Sequence, residues 1–234
     1  MERHAFDNTR LLGTFNKEME NWLDFYCYTA LVDRDGKYQL TMLSHSGFKP
    51  LASSMFPMLQ EEAFHLLTGF TGLGRVIKAR KVPIEIVQKY SNRWFSSALD
   101  LFGVDHSSSA SWFYVWGLKG RFDEHEAGPE VDRDHLNDRA RGQYHQEVVD
   151  LIAQLNKDIP ESQTRLFVPD IKFNRSIGEY KDSTFSIKGE PLTAEGFAEH
   201  LEDVQPGPSD RARLDVLFKE RDWVYPVGEQ KLSA

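Results

Sequence analysis

Residues 56–70, FPMLQEEAFHLLTGF, place an acid and an imidazole three positions apart inside an otherwise apolar stretch. If this stretch is helical, positions spaced by three, four and seven residues share one face, and that face is mostly apolar. It comprises Leu51, Met55, Met58, Glu62, His65 and Gly69. Because an unpaired buried carboxylate costs several kcal/mol, the fold has to supply a counter-charge, hydrogen bonds or a metal ion at Glu62.

The pattern alone leaves three interpretations of this pair open. Glu62 and His65 would present one oxygen and one nitrogen donor on the same helical face, the unit that di-iron carboxylate bundles use twice. The pair also fits a buried hydrogen-bonded contact between acid and imidazole, or a solvated face on a misjudged helix. A single Glu-x-x-His pair arises readily by chance, so its spacing does not decide between these interpretations.

The composition restricts the class of protein. With 40% hydrophobic residues among 234, the chain can bury a real core. The formal net charge is −8 and no long basic run occurs, which argues against nucleic acid as the main partner. No segment approaches the roughly 20 apolar residues of a membrane span, and the charged start lacks the apolar core of a signal peptide. Cys27 is the sole cysteine, so no internal disulfide can form; we expect a cytoplasmic protein in which Cys27 is a buried apolar residue.

Apolar periodicity predicts a largely helical chain. We expect a first helix over residues 15–31, a turn at Asp35-Gly36, and a second helix from about residue 49 that carries Glu62 and His65. Pro83 opens a third helix that Gly103 ends, and a further amphipathic helix ends before Pro160.

The segment HSSSASWFYVWGLKGRF lies between the third helix and this last one. Its aromatic residues Trp112, Phe113 and Trp116 have helical spacing, which predicts that they belong to the core. Lys119 and Arg121 at its end could meet an anionic ligand or complement a helix dipole. The acidic and histidine-containing run that follows, residues 123–135, is predicted to be a solvated charged segment rather than a metal trap.

We expect two regions in the chain. Residues 1–158 form the helical region that carries the Glu62 and His65 pair. Residues 159–234 look extended and turn-rich, with short helices near 193–202 and 209–219, and form an extension packed on the helical body.

The residues of several ordered motifs show a family resemblance. The block that runs from FNKEMENWLDFYCYTALVDRDGKYQL to EEAFHLLTGFTGLGRVI resembles the oxygenase component of benzoyl-CoA 2,3-epoxidase, a ferritin-like di-iron family of aerobic benzoate breakdown. VPIEIVQKYSNRWFSSALDLFG, GLKGRF and FNRSIGEY continue the match over nearly the whole chain. The resemblance implies a mainly α, ferritin-like helical bundle with an irregular C-terminal extension. It also implies that a helix, and not a turn, runs through Asp33.

The resemblance further implies a metal site and a reaction. Such families bind two irons between two helix pairs, each pair giving one lone carboxylate and one Glu-x-x-His unit. By matching motif, Asp33 in VDRDGK is the lone carboxylate, and Glu62 and His65 in EEAFH are the other metal ligands of one pair. Dioxygen would be activated at iron, and one oxygen atom would add across the ring of benzoyl-CoA to give the 2,3-epoxide. Electrons would come from NADPH through a separate reductase that carries FAD and an iron–sulfur centre.

The sequence departs from the family pattern in one respect. The other helix pair should lie upstream of Phe15, and only fourteen residues precede Phe15. Among the other histidines, only His135 follows an acid, Asp132, by three residues, and that pair lies outside the family motifs. Three hypotheses follow. The chain is half of a di-iron bundle completed by a chain with the N-terminal half, or a homodimer that doubles the three ligands, or a catalytically silent helical protein that binds partners or CoA thioesters.

Overall fold

The computed structural model describes residues 13–125 and 135–225. A short 3-10 turn, Gly13–Asn16, precedes the first α-helix. The helices are α1 (Trp22–Ser44), α2 (Lys49–Ala79), α3 (Ile84–Leu101), α4 (Ser108–Val115), α5 (Leu136–Asn156), α6 (Ala194–Val204) and α7 (Pro208–Leu217). Within these described ranges the only β pairing is an isolated bridge between Phe185 and Pro191. The predicted mainly α class is confirmed.

Helix α1 differs from the sequence prediction at both ends. It begins at Trp22, where the Asn21 side chain accepts a hydrogen bond from the Asp24 N–H and caps the helix. It then runs without interruption to Ser44, so the turn predicted at Asp35-Gly36 is wrong, and the continuous helix implied by the family resemblance is confirmed. The physical reason is tertiary, because side chains on both sides of Asp35 bond to Glu147 of α5.

Helices α1 and α2 approach each other unusually closely at two glycines of α2. A Cβ atom at Gly69 would lie 2.5 Å from the backbone nitrogen of Ala30, and one at Gly72 would overlap the ring of Tyr26. The absence of side chains at these positions lets the two helices come together. This contact sets the separation between the helix that carries Asp33 and the helix that carries Glu62.

Helix α3 forms the centre of the core. Apolar spacing predicts a stripe of Ile84, Val87, Tyr90, Trp94, Ala98 and Leu101 on this helix, and all of these residues are buried except Leu101, which is partly buried. The indole N–H of Trp94 donates to the buried Asp24 carboxylate of α1 at 2.6 Å, so a polar bond as well as apolar packing joins α1 to α3. Cys27 is also buried as predicted, and burial raises the pKa of its thiol to about 12.

The prediction that the aromatic residues of α4 belong to the core is wrong. Trp112 is 60% exposed and Trp116 is 69% exposed, and none of the residues of α4 is buried. Helical spacing brought these side chains to common faces, but it does not tell whether a neighbouring element covers those faces. In the part of the chain that the structure describes, nothing buries them.

The stripe predicted to bury Glu62 and His65 is confirmed only in part. Met55 and Gly69 are buried, whereas Met58 and His65 are exposed. On the opposite face of α2, Phe56, Phe64 and Leu67 are also exposed. The middle of α2 therefore packs on one side only.

The C-terminal residues contain the two predicted short helices, α6 and α7. Within FNRSIGEY, the Arg175 guanidinium and the Ser176 N–H both donate to the Asp100 carboxylate in the last turn of α3, at 2.7 and 2.8 Å. The division into regions 1–158 and 159–234 stays a prediction. Most of the charged run at 123–135 lies outside the described residues.

None of the described helices combines the length and the apolar character that crossing a membrane requires.

Replacing Gly69 by Ala should destabilise the fold, because the new methyl group would push α1 and α2 apart. We expect a loss of about 1–3 kcal/mol in the free energy of unfolding, as for other overpacked cores. Gly74→Ala on the same helix is the matched control, since a Cβ atom there meets nothing within 4 Å. It should be neutral or stabilise by up to about 1 kcal/mol through helix propensity. Urea unfolding of both variants tests this, and equal stability of the two would contradict the close contact.

Candidate metal centre

The structure brings the three residues predicted as metal ligands together. Asp33 lies on α1, and Glu62 and His65 lie one turn apart on α2. Their ligand atoms all lie within 4.8 Å of one another. His65 Nδ1 is 3.6 Å from Asp33 Oδ2 and 3.7 Å from Glu62 Oε2. The sequence prediction placed these residues at one site, and their role as ligands stays a prediction.

The distances inside the cluster are too long for direct hydrogen bonds, and they leave room for an ion. Glu62 Oε2 is buried and has no hydrogen-bond partner among the described residues. A buried carboxylate oxygen without a partner is costly, and a cation bound between the three side chains would satisfy it. Two carboxylates and one imidazole form a donor set that suits iron, manganese or zinc. The residues present therefore fit a metal ion.

A glycine on α1 makes the close approach of Glu62 possible. A Cβ atom at Gly36 would lie 3.0 Å from Glu62 Oε1, which is tighter than ordinary van der Waals contact. Gly36 stands three residues after Asp33, so it lies next to it on the same face of the helix. Gly36, which together with Asp35 predicted a turn, thus leaves the space that the Glu62 side chain of α2 occupies.

Burial disfavours the charged forms of both acids, and repulsion from Glu62 adds to it at Asp33. Burial, and next to it the Glu62 charge, raise the pKa of Asp33 to about 7, although His65 opposes this shift. Burial also raises the pKa of Glu62, again against the influence of His65. Both carboxylates would be stabilised as anions by a bound cation, so metal affinity should increase as the pH rises towards 7.

The site is open on the side of His65. The His65 side chain is 46% exposed, whereas the side chains of Asp33 and Glu62 are 14% and 18% exposed. The two acids therefore line the inner part of the site, and the imidazole lies at its rim. Ligands from another source could reach an ion held here.

Glu147 of α5 holds the turn of α1 that contains Asp33. Glu147 on α5 accepts hydrogen bonds from Arg34, from Lys37 Nζ at 3.0 and 3.1 Å, and from the Tyr38 hydroxyl at 2.8 Å. Burial alone would raise the pKa of Glu147, but Arg34 and the bonds from Lys37 and Tyr38 hold it below its usual value. The sequence did not predict these hydrogen bonds of Glu147, because no local pattern connects residues more than a hundred positions apart.

The raised pKa of Asp33 predicts how the stability of the metal-free protein depends on pH. An acid whose pKa increases from 3.8 in the unfolded chain to about 7 in the fold makes the folded state bind more protons in that window. The free energy of unfolding should therefore fall as the pH rises from about 4 to 7. Asp33→Asn should flatten this slope, whereas Glu199→Gln, which changes an exposed acid on α6, should leave it unchanged. Chemical unfolding at several pH values, with chelator present, measures the slope; identical slopes for Asp33→Asn and the wild type would refute the prediction.

Comparisons with known proteins agree with the resemblance drawn from the motifs. The chain is 32% identical to Benzoyl-CoA oxygenase component B of Aromatoleum evansii, over 91% of this chain and 54% of that protein. It is 24% identical to one of the subunits of 1,2-phenylacetyl-CoA epoxidase from Escherichia coli (strain K12), over 71% of this chain and 48% of that protein. The chain thus spans about half the length of the curated relatives that it matches.

The profile of one protein family, described as Phenylacetic acid catabolic protein, matches residues 1–184. This match includes all three candidate ligands and Glu147. Because it covers well over half of the sequence, the chain belongs to the Phenylacetic acid catabolic protein family.

Proposed function

We propose that this chain is part of the oxygenase component of an aryl-CoA epoxidase, with benzoyl-CoA and dioxygen as substrates and a di-iron centre as cofactor. The observation that carries the proposal is the cluster of Asp33, Glu62 and His65, with its buried and unsatisfied carboxylate oxygen. Support comes from the names of two relatives, which describe an oxygenase component and part of an epoxidase.

The residues of the chain would hold and orient the cofactor. Asp33 and Glu62 supply the negative charge, and His65 supplies a neutral nitrogen at the open rim. Glu147 keeps the Asp33 turn of α1 in place through Arg34 and Tyr38. When bound, iron would supply the one-electron chemistry that dioxygen needs to react with an aromatic ring.

Three ligands make half of the set that a di-iron carboxylate site uses. The remaining carboxylates and imidazole would come from a second helix pair, carried by another chain or by further sequence of the same protein. A homodimer that brings two copies of the cluster together is the symmetric alternative. Electrons would come from NADPH through a separate reductase with FAD and an iron–sulfur centre.

The other candidate function is a catalytically silent helical protein of the same family that binds a partner. The exposed apolar side chains of α2, Phe56, Phe64 and Leu67, favour this role. It leaves the buried oxygen of Glu62 unexplained, which is why we prefer the oxygenase.

Glu62→Ala should abolish iron binding by the purified chain, because it removes the buried carboxylate oxygen that has no other partner among the described residues. Glu61→Ala is the matched control, since Glu61 is an exposed carboxylate one position away on the same helix. Native mass spectra after reconstitution with ferrous iron, in the absence of air, report bound iron and assembly together. Iron bound equally by wild type and Glu62→Ala would refute the site, and two irons per dimer would support completion by symmetry.

The activity itself needs the complete ligand set. We expect the chain, combined with a source of the second helix pair and with the reductase and NADPH, to add one oxygen atom to benzoyl-CoA. Mass spectrometry of the thioester product measures this addition, and Glu62→Ala should eliminate it. A wild-type assembly that binds iron but leaves benzoyl-CoA unchanged would favour another substrate, and one that binds no iron would favour the silent protein.

A further inference from the structure

A second polar group lies beside a cavity that the metal centre does not use. The cavity has a volume of about 300 Å³ and lies between α1, α3, α4 and the start of α5. Its walls include Leu43, Leu101, Phe102, Val104 and Phe113, with Lys119 among its polar residues. We call it the Lys119 cavity. Lys119 also lines a smaller neighbouring cavity of about 280 Å³, so its side chain stands between two open spaces.

The ammonium group of Lys119 is held by neutral groups. Its Nζ donates to Gln39 Oε1 at 2.9 Å and to Asn137 Oδ1 at 2.6 Å. An ammonium group has three donors, and the third finds no acceptor among the described residues. No carboxylate of the described ranges lies within ion-pair distance of this nitrogen.

The nearest acids bond to other groups. Asp35 accepts a hydrogen bond from the Gln39 side chain, and Asp105 accepts from the backbone N–H groups of Asn137 and Asp138 at the start of α5. Burial lowers the pKa of Lys119 to about 8, while Asp35 and Asp105 oppose the shift. The group is therefore largely charged at neutral pH, and it lacks a direct counter-ion among the described residues.

The rest of the cavity favours an apolar group attached to an anion. Most of its wall consists of aliphatic and aromatic side chains, which is typical of small-molecule sites with a few placed polar groups. The first turn of α4, with Ser107 and Ser109, also lines it, and the positive end of a helix dipole favours negative charge. Arg121, the other basic residue that the sequence offered for an anion, bonds instead to Asp123.

We propose that the Lys119 cavity binds a small aromatic carboxylate, with the carboxylate at Lys119 Nζ and the ring between Phe102 and Phe113. The cavity volume accommodates one ring, and the third donor of the ammonium group suits one carboxylate oxygen. This site is distinct from the candidate metal centre, and the proposal does not rest on the proposed function.

Benzoate and benzamide are the probes for this proposal, since they share shape and differ in charge. Ligand-observed NMR with the full chain should show benzoate binding at least about tenfold more tightly than benzamide, because a charge-assisted bond is lost with the amide. Lys119→Met should weaken benzoate binding by a similar factor. Lys188→Met, which removes an exposed lysine elsewhere, should not change it.

A second variant guards against a folding defect in Lys119→Met. Ala110→Leu on α4 keeps the ammonium group and fills part of the cavity, so it should also lose benzoate binding while the protein remains folded by circular dichroism. Equal affinity for benzoate and benzamide, or wild-type affinity in both variants, would overturn the proposal. Inorganic phosphate that binds as tightly as benzoate would also overturn it, because the apolar wall would then contribute nothing.

Discussion

The close packing of α1 against α2 is the constraint on which the candidate metal centre depends. Gly69 lets the backbone of Ala30 approach α2, and Gly36 leaves the space that the Glu62 carboxylate occupies. The two glycines lie on opposite helices, so a larger residue on either one would displace a candidate ligand. Glu147 of α5 holds the turn of α1 that contains Asp33. The three candidate ligands are therefore positioned by helix packing and by this contact, and not by bonds to one another.

Two polar groups next to α1 keep hydrogen-bonding capacity that the described residues do not use. Glu62 Oε2 is buried and unsatisfied, and Asp33 ionises only against burial and the charge of Glu62. Farther along α1, Gln39 contacts an ammonium group, Lys119, that has no direct counter-ion in the described structure. Each arrangement costs stability in the empty protein and gains affinity for a ligand of the opposite charge. Two candidate sites that would prefer ligands of opposite charge thus lie next to α1.

The surface around the metal centre is typical of an incomplete assembly. The imidazole of His65 lies at an open rim, and Met58 on the same face of α2 is exposed, as are apolar side chains on its opposite face. Large exposed apolar groups typically mark surfaces that are covered in the functional complex. Under the proposed function the cluster supplies half of the ligands of a di-iron site, and these exposures then favour a protein that works with further helices.

By itself, the sequence determined the mainly helical class, the buried stripe of α3 and the Glu-x-x-His unit, because these depend on periodicity and local spacing. Family motifs added Asp33 to that unit. Only the tertiary structure decided that α1 continues through Asp35 and Gly36, since bonds to the distant Glu147 outweigh a local turn signal. The exposure of Trp112 and Trp116 was likewise visible only in the tertiary structure, because periodicity shows which residues share a face and not what covers that face. That the Lys119 ammonium has amide oxygens and no direct counter-ion around it in the described residues likewise follows from which neighbours the fold supplies, and no local pattern contains that information.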